Sequence, residues 1–251
     1  MLNFPHLRGD ERNAAQMITG IGNFGPLIAA LIMRAFIKEE RRTQSLGWRR
    51  SPKYYLVALL APAFFYGLQT VFHHVIGLGR FTPTRTDMPL WAYVGPYLLI
   101  LSFLIAPYVF GEEYGWRGYL LPRLLALGEI KASVIVGAIH GFWHLPLLLV
   151  GFVLAGQSPL IVVPLYVVNL VFLAFPYTWL YIASGGSVVV VSLLHGSADA
   201  YGGGLTGSVV FGSGANALIA SFFGPVVLGL ITLVVYGVFK RSPRVKDMLH
   251  S

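Results

Sequence analysis

Apolar residues along this chain run in long blocks broken by short polar or Gly/Pro-containing stretches. Several blocks reach the ~20 residues a helix needs to cross the hydrocarbon core of a bilayer. The pattern predicts membrane segments at about 16–37, 54–77, 90–110, 111–127, 131–151, 158–183, 187–201 and 215–240. The expected fold is therefore all-α. It is a polytopic membrane bundle of about seven to eight segments around an intramembrane cavity, forming one integral membrane domain over residues 1–251.

Composition agrees with that reading. Of 251 residues, 56% are hydrophobic and only 11% are charged, against about 25% charged in an ordinary soluble domain. There is no cysteine, which excludes disulfides, thiolate nucleophiles and Cys-ligated metal. The first fifteen residues include Asp10 and Glu11 and lack the basic-then-apolar order of a signal peptide. The net charge of +8 does not point to nucleic acid, because most of it lies in two blocks beside apolar segments.

Those blocks set an orientation. Residues 34–53 hold seven Lys/Arg against two Glu, and the tail after Phe239 holds Lys240, Arg241, Arg244 and Lys246 against Asp247. Both are expected on the cytoplasmic side by the positive-inside rule. The 77–90 loop and the Gly-rich 202–214 loop are expected outside. This creates a conflict, since seven predicted segments lie between two blocks that need an even number of crossings. The weakest segments are 111–127 and 187–201, and both carry the polar residues considered next. Helices that do not span fully are tolerated where they line a protein cavity.

Between Ala132 and Phe239 one residue is formally charged, Asp199, four positions after His195. Upstream, Glu112, Glu113 and Arg117 interrupt another apolar region. A charge at the centre of a membrane helix costs ~2.5–3.5 kcal/mol on insertion scales, so such groups read first as functional. Glu113 and Arg117 are i, i+4 and can pair. Glu112 is rotated about 100° away and lacks that counter-ion, which suits a general base. The alternative is a helix end at a water interface, to which Pro107 and Gly111 would also fit. His140 and His144 are i, i+4, the spacing at which two imidazoles share a metal. A packing role for them stays equally open. His195 and Asp199 repeat the spacing, and a carboxylate beside an imidazole fixes its tautomer. The bland reading of that pair is polar glue between helices. The seryl Gly-x-Ser-Gly, aspartyl Gly-x-Gly-Asp and zinc His-Glu-x-x-His signatures are absent, as are phosphate-loop and dinucleotide fingerprints.

Glu112-Glu113-x-x-x-Arg117, then a His-bearing helix ending His144-Leu-Pro, then His195-x-x-x-Asp199, resembles the CPBP family of intramembrane proteases. That family groups CAAX prenyl endopeptidases with bacterial proteins linked to bacteriocin processing and self-immunity. The resemblance covers roughly residues 90–205. It implies about eight membrane segments around a conical cavity and a Glu-activated water attacking a peptide carbonyl. On it, Glu112 is the base and His144 helps to hold the water. His195 with Asp199 faces the oxyanion, and Glu113 with Arg117 supports them. The sequence departs from the family in two places. His140 stands where the family carries Phe, as a substitute wall or an extra polar participant. Asp199 stands where prenyl endopeptidases use Asn, and an ionised Asp repels an oxyanion.

The expected activity is intramembrane endopeptidase action near the membrane interface. The alternative is a non-enzymatic immunity factor, scaffold or transporter whose polar cluster binds an ion, substrate or partner. Expected partners are the lipid bilayer and a peptide or protein substrate, lipidated or not. The expected location is a bacterial or archaeal cell membrane. No cofactor is favoured, because the family motif works without His140. Zinc on His140, His144 and His195 is the other possibility, with Asp199 drawn in.

Overall fold

The computed structural model describes residues 20–37, 46–149 and 157–238. They form an all-α membrane helical bundle with one small two-stranded sheet. Helix α1 spans Gly25–Phe36, α2 Pro52–Val75, α3 Leu90–Leu127 and α4 Glu129–Trp143. Helix α5 spans Leu145–Leu149, α6 Pro159–Ala183, α7 Val188–Gly204 and α8 Gly214–Val238. Strands β1 (Gly79–Phe81) and β2 (Val209–Phe211) pair antiparallel, with Arg80 opposite Val210. The two loops expected outside are thus hydrogen-bonded to each other and share one end of the bundle. Residues 38–45 of the first basic block and 239–251 of the second lie outside the described residues.

By length and composition α2, α3, α6 and the Gly214–Val234 part of α8 can each cross a bilayer. Their outward faces are apolar. Along α2, Leu56, Leu60, Phe64, Leu68 and Val75 are all exposed, Phe64 to 75%. In water this stripe would be an association surface, whereas acyl chains cover it without penalty. The motif-bearing α4 and α7 are shorter, at 15 and 17 residues.

One predicted boundary is wrong. The segments 90–110 and 111–127 are one continuous helix of 38 residues. Pro107 lies inside its Leu98–Glu113 stretch, and Gly111 does not begin a new helix. A proline removes one backbone hydrogen bond, but within a membrane protein neighbouring groups can satisfy the freed carbonyl. Beyond Glu113 the helix widens into a π-helical segment, Tyr114–Leu120, and continues. With α3 as one helix, the predicted segments between the basic blocks number six instead of seven. The segment predicted at 131–151 turns at His144, just before Pro146, and residues 150–156 lie outside the described residues.

Close helix contacts position the motif helices. Helix α7 packs on the Leu98–Glu113 part of α3 and on α2, while α4 packs on α6. At Gly196 a Cβ would stand 2.6 Å from both Ser102 O and Ala106 N of α3. At Gly137 it would stand 2.7 Å from Leu170 O of α6. Small residues at such points let helix backbones touch, which is how helices associate where lipid removes the hydrophobic drive. Helix α7 is also fixed at its start. The Ser187 hydroxyl accepts from Val190 N at 3.2 Å and donates to Gly47 O at 2.8 Å. That cap replaces an orphan backbone partner and ties α7 to the loop before α2.

Candidate active site

Glu112 and Glu113 end the α-helical part of α3, and Arg117 lies in the π-helical segment that follows. All three are buried, at 4%, 0% and 2% exposure. They sit inside a continuous helix, so the helix-end reading is excluded by their placement. The pairing expected from spacing is present, with Arg117 Nη1 donating to Glu113 Oε1 at 2.9 Å. Arg117 also lies over the Tyr177 ring of α6, 4.5 Å from its centroid.

Adjacent carboxylates on a helix face different neighbours, and here they enter separate networks. Glu113 Oε1 accepts a second hydrogen bond, from His195 Nδ1 at 2.8 Å. Glu112 Oε2 accepts from His140 Nε2 at 3.0 Å. The expectation that Glu112 stands unpaired is therefore corrected. It lacks Arg117, as the geometry of the turn dictates, but it is held by His140. His140 is more than a substitute wall, because its imidazole touches the carboxylate of the first motif.

His144 follows the last residue of α4, and its Nδ1 donates to His140 O at 3.1 Å. That bond fixes the ring and leaves Nε2 for other work. One ligand-capable atom from each of Glu112, His140 and His144 lies within 4.8 Å of the others. The rings of His140 and His144 are 5.0 Å apart, and His140 and His195 are 6.4 Å apart. The three motifs, far apart in sequence, meet in one place. They are 82 residues apart across the Glu113–His195 bond and 28 across the Glu112–His140 bond.

Asp199 is less engaged than its spacing suggests. Its Oδ1 is 3.7 Å from His195 Nε2, beyond a hydrogen bond, and its side chain is half exposed. Glu113, not Asp199, orients His195. The zinc set read from sequence is also rearranged. His195 is committed to Glu113 through Nδ1, and among the described residues the compact cluster is Glu112, His140 and His144.

Aromatic rings enclose the cluster. Trp116 lies 5.1 Å from His140, Trp143 is edge-on to His144 at 4.8 Å, and Tyr166 is 5.3 Å from His144. Tyr177 meets His195 edge-on at 5.7 Å. Sequence reasoning assigned none of these four a role at the site. Trp116 and Trp143 lie within the motif strings, which is a usable signal. Tyr166 and Tyr177 come from α6, where no local pattern marks them. Low-polarity walls around fixed dipoles strengthen electrostatic interactions inside them.

Residues 91–201 match the family model "Type II CAAX prenyl endopeptidase Rce1-like". The match begins at the start of α3, ends in α7 and includes every site residue above. No match is found among curated proteins.

Proposed function

Since residues 91–201 match the type II CAAX prenyl endopeptidase Rce1-like family model, we propose that the chain is an intramembrane endopeptidase in which Glu112 activates water. The observation that carries this reading is the Glu112 carboxylate, buried yet within 4.8 Å of both His140 and His144. A single water can bridge groups at that separation. His140 holds Glu112 Oε2, and the proposed water lies between this carboxylate and the two imidazoles.

In the proposed step Glu112 takes a proton from water as the oxygen adds to a peptide carbonyl. His144, fixed by its bond to His140 O, accepts from that water through Nε2. His195, when doubly protonated, donates from Nε2 to the oxyanion. Glu113 and Arg117 hold the His195 ring. Asp199 balances the charge on His195 from the open side and does not face the oxyanion as an asparagine could. Glu112 then passes its proton to the leaving amine, and the C–N bond breaks. The substrate is a peptide or protein segment reached from the bilayer, lipidated or not, and the basic segments face the cytoplasm. The Asp at position 199 argues against a strict demand for a prenyl group.

The test is cleavage by purified protein in proteoliposomes, with matched prenylated and unprenylated peptides. Glu112→Gln retains an acceptor for His140 and should fold, but it cannot take the proton. Loss of a general base costs ~10²–10⁴-fold. A Gln variant that cleaves within tenfold of wild type would overturn the assignment.

A further inference from the structure

We propose that Glu112, His140 and His144 form a binding site for a zinc-class divalent ion, and that the ion inhibits the hydrolysis proposed above. The site itself does not depend on that activity, while the inhibition rests on it.

The donor set comes first. Two imidazoles and one carboxylate form a borderline-soft set that suits zinc, cobalt or nickel and not calcium or magnesium. Two His and one Glu with an open fourth position are a known zinc arrangement. The donors lie on rigid elements. Glu112 ends the α-helical part of α3, His140 is on α4 and His144 is the residue that caps it.

Geometry comes second. Ligands about 2.1 Å from a tetrahedral ion are ~3.4 Å from each other. Glu112 Oε2 and His140 Nε2 are 3.0 Å apart, so this pair opens by a few tenths of an ångström. The three ligand atoms all lie within 4.8 Å of one another, so closing the set on an ion takes shifts of little more than 1 Å at most. The ion replaces the proton now shared between His140 and Glu112.

Tautomers come third. His144 Nδ1 is spent on His140 O, which leaves the Nε2 lone pair as the free donor. A backbone carbonyl on the far nitrogen is the usual outer partner of a metal-bound imidazole. His195 is not in the set, because among the described residues the ligand atoms within 4.8 Å of one another come from Glu112, His140 and His144. His140 completes the trio. With Phe in its place only Glu112 and His144 remain, and two ligands do not hold such an ion.

The consequence follows from the shared carboxylate. A Glu112 oxygen bound to the ion no longer accepts the proton of the attacking water. Metal occupancy and glutamate catalysis therefore compete for one side chain.

The experiment titrates metal-stripped, detergent-purified full-length protein with cobalt(II), followed by zinc. The expected result is one cobalt per chain with the intense visible bands of a four-coordinate ion, displaced by one zinc. His140→Phe and Glu112→Gln should each weaken binding at least tenfold. His73→Ala/His74→Ala, which leaves the trio intact, should leave it unchanged. If His140→Phe does not fold, Glu112→Gln carries the comparison. Absence of the four-coordinate spectrum in folded wild type would overturn the site, as would binding that survives both trio substitutions. In parallel, zinc at the saturating concentration should lower peptide cleavage in proteoliposomes by at least tenfold. Cleavage that rises with zinc would overturn the inhibition. Stoichiometric cobalt binding without any cleavage would support the site and count against the protease reading alone.

Discussion

Removing Arg117 tests the most deeply buried part of the site. Its guanidinium is 2% exposed and its partner Glu113 is fully buried. In Arg117→Ala the carboxylate keeps one donor, His195 Nδ1 at 2.8 Å, but loses the donor at 2.9 Å that carries a fixed charge. The His195 bond already exists in wild type, so it offsets nothing new. Breaking a buried pair from one side costs ~3–5 kcal/mol, because the remaining charge is left uncompensated. The contact with the Tyr177 ring, 4.5 Å away, is lost as well and is worth up to ~2 kcal/mol when desolvated. These terms overlap, so a total of ~3–5 kcal/mol is expected. The assay is reversible unfolding in mixed micelles, read by tryptophan fluorescence, since Trp116 and Trp143 lie beside the site. Adding Glu113→Gln to the same chain removes the orphaned charge while retaining an acceptor for His195. The double variant should recover at least half the loss. A single variant that loses less than about 1 kcal/mol, the average for an arbitrary substitution, would refute the reasoning. So would a double variant no better than the single.

Gly137→Ala should destabilise by ~1–3 kcal/mol, as overpacking does, because the new Cβ meets α6 backbone 2.7 Å away at Leu170 O. A thermal scan in detergent checks it, and an unchanged or raised midpoint would mean that α4 and α6 can separate freely. Arg34→Ala should cost ~1–2 kcal/mol, since Arg34 Nη2 donates to Gly118 O at 3.3 Å and the guanidinium lies over Tyr114 at 5.2 Å. Its effect should fall on stability, and a variant as stable as wild type would dispose of α1 as a brace for the π-helical segment. Asp199→Asn should leave the unfolding midpoint within error, because the half-exposed carboxylate makes no hydrogen bond to His195 at 3.7 Å. A large shift in that midpoint would place Asp199 in a contact tighter than this distance describes.

Much of the site was legible from spacing. The Glu113–Arg117 pair follows from one helical turn, and the isolation of Glu112, His144, His195 and Asp199 in apolar sequence flagged them before any contact was known. What the sequence could not supply was partnership across the bundle. His195 faces a carboxylate on its own helix at i+4, yet it bonds instead to Glu113 on α3. That choice depends on how far α7 approaches α3 at Gly196, a tertiary distance with no local signature. The break at Pro107–Gly111 was misread for a related reason. Proline and glycine end helices in water, where the chain has alternatives. In a membrane the backbone must stay hydrogen-bonded, so the same residues are carried within one helix. The aromatic walls from α6 were invisible because Tyr166 and Tyr177 sit in an otherwise uniform apolar run.

The wide turn at Tyr114–Leu120 bears on how such a helix can change over evolutionary time. A π-helical turn holds one more residue than an α-helical turn over the same length of axis. Deleting one residue from this stretch would narrow it to an ordinary helix and leave Glu112 and Glu113 where they are. Everything downstream would keep its phase relative to the rest of α3, while the residues of the stretch itself would shift around the axis. Arg117 would still face Glu113, because residues three or four apart share one face of an ordinary helix. What such a deletion would move is Gly115 and Gly118, where the missing side chain lets Pro26 of α1 and Val188 of α7 approach.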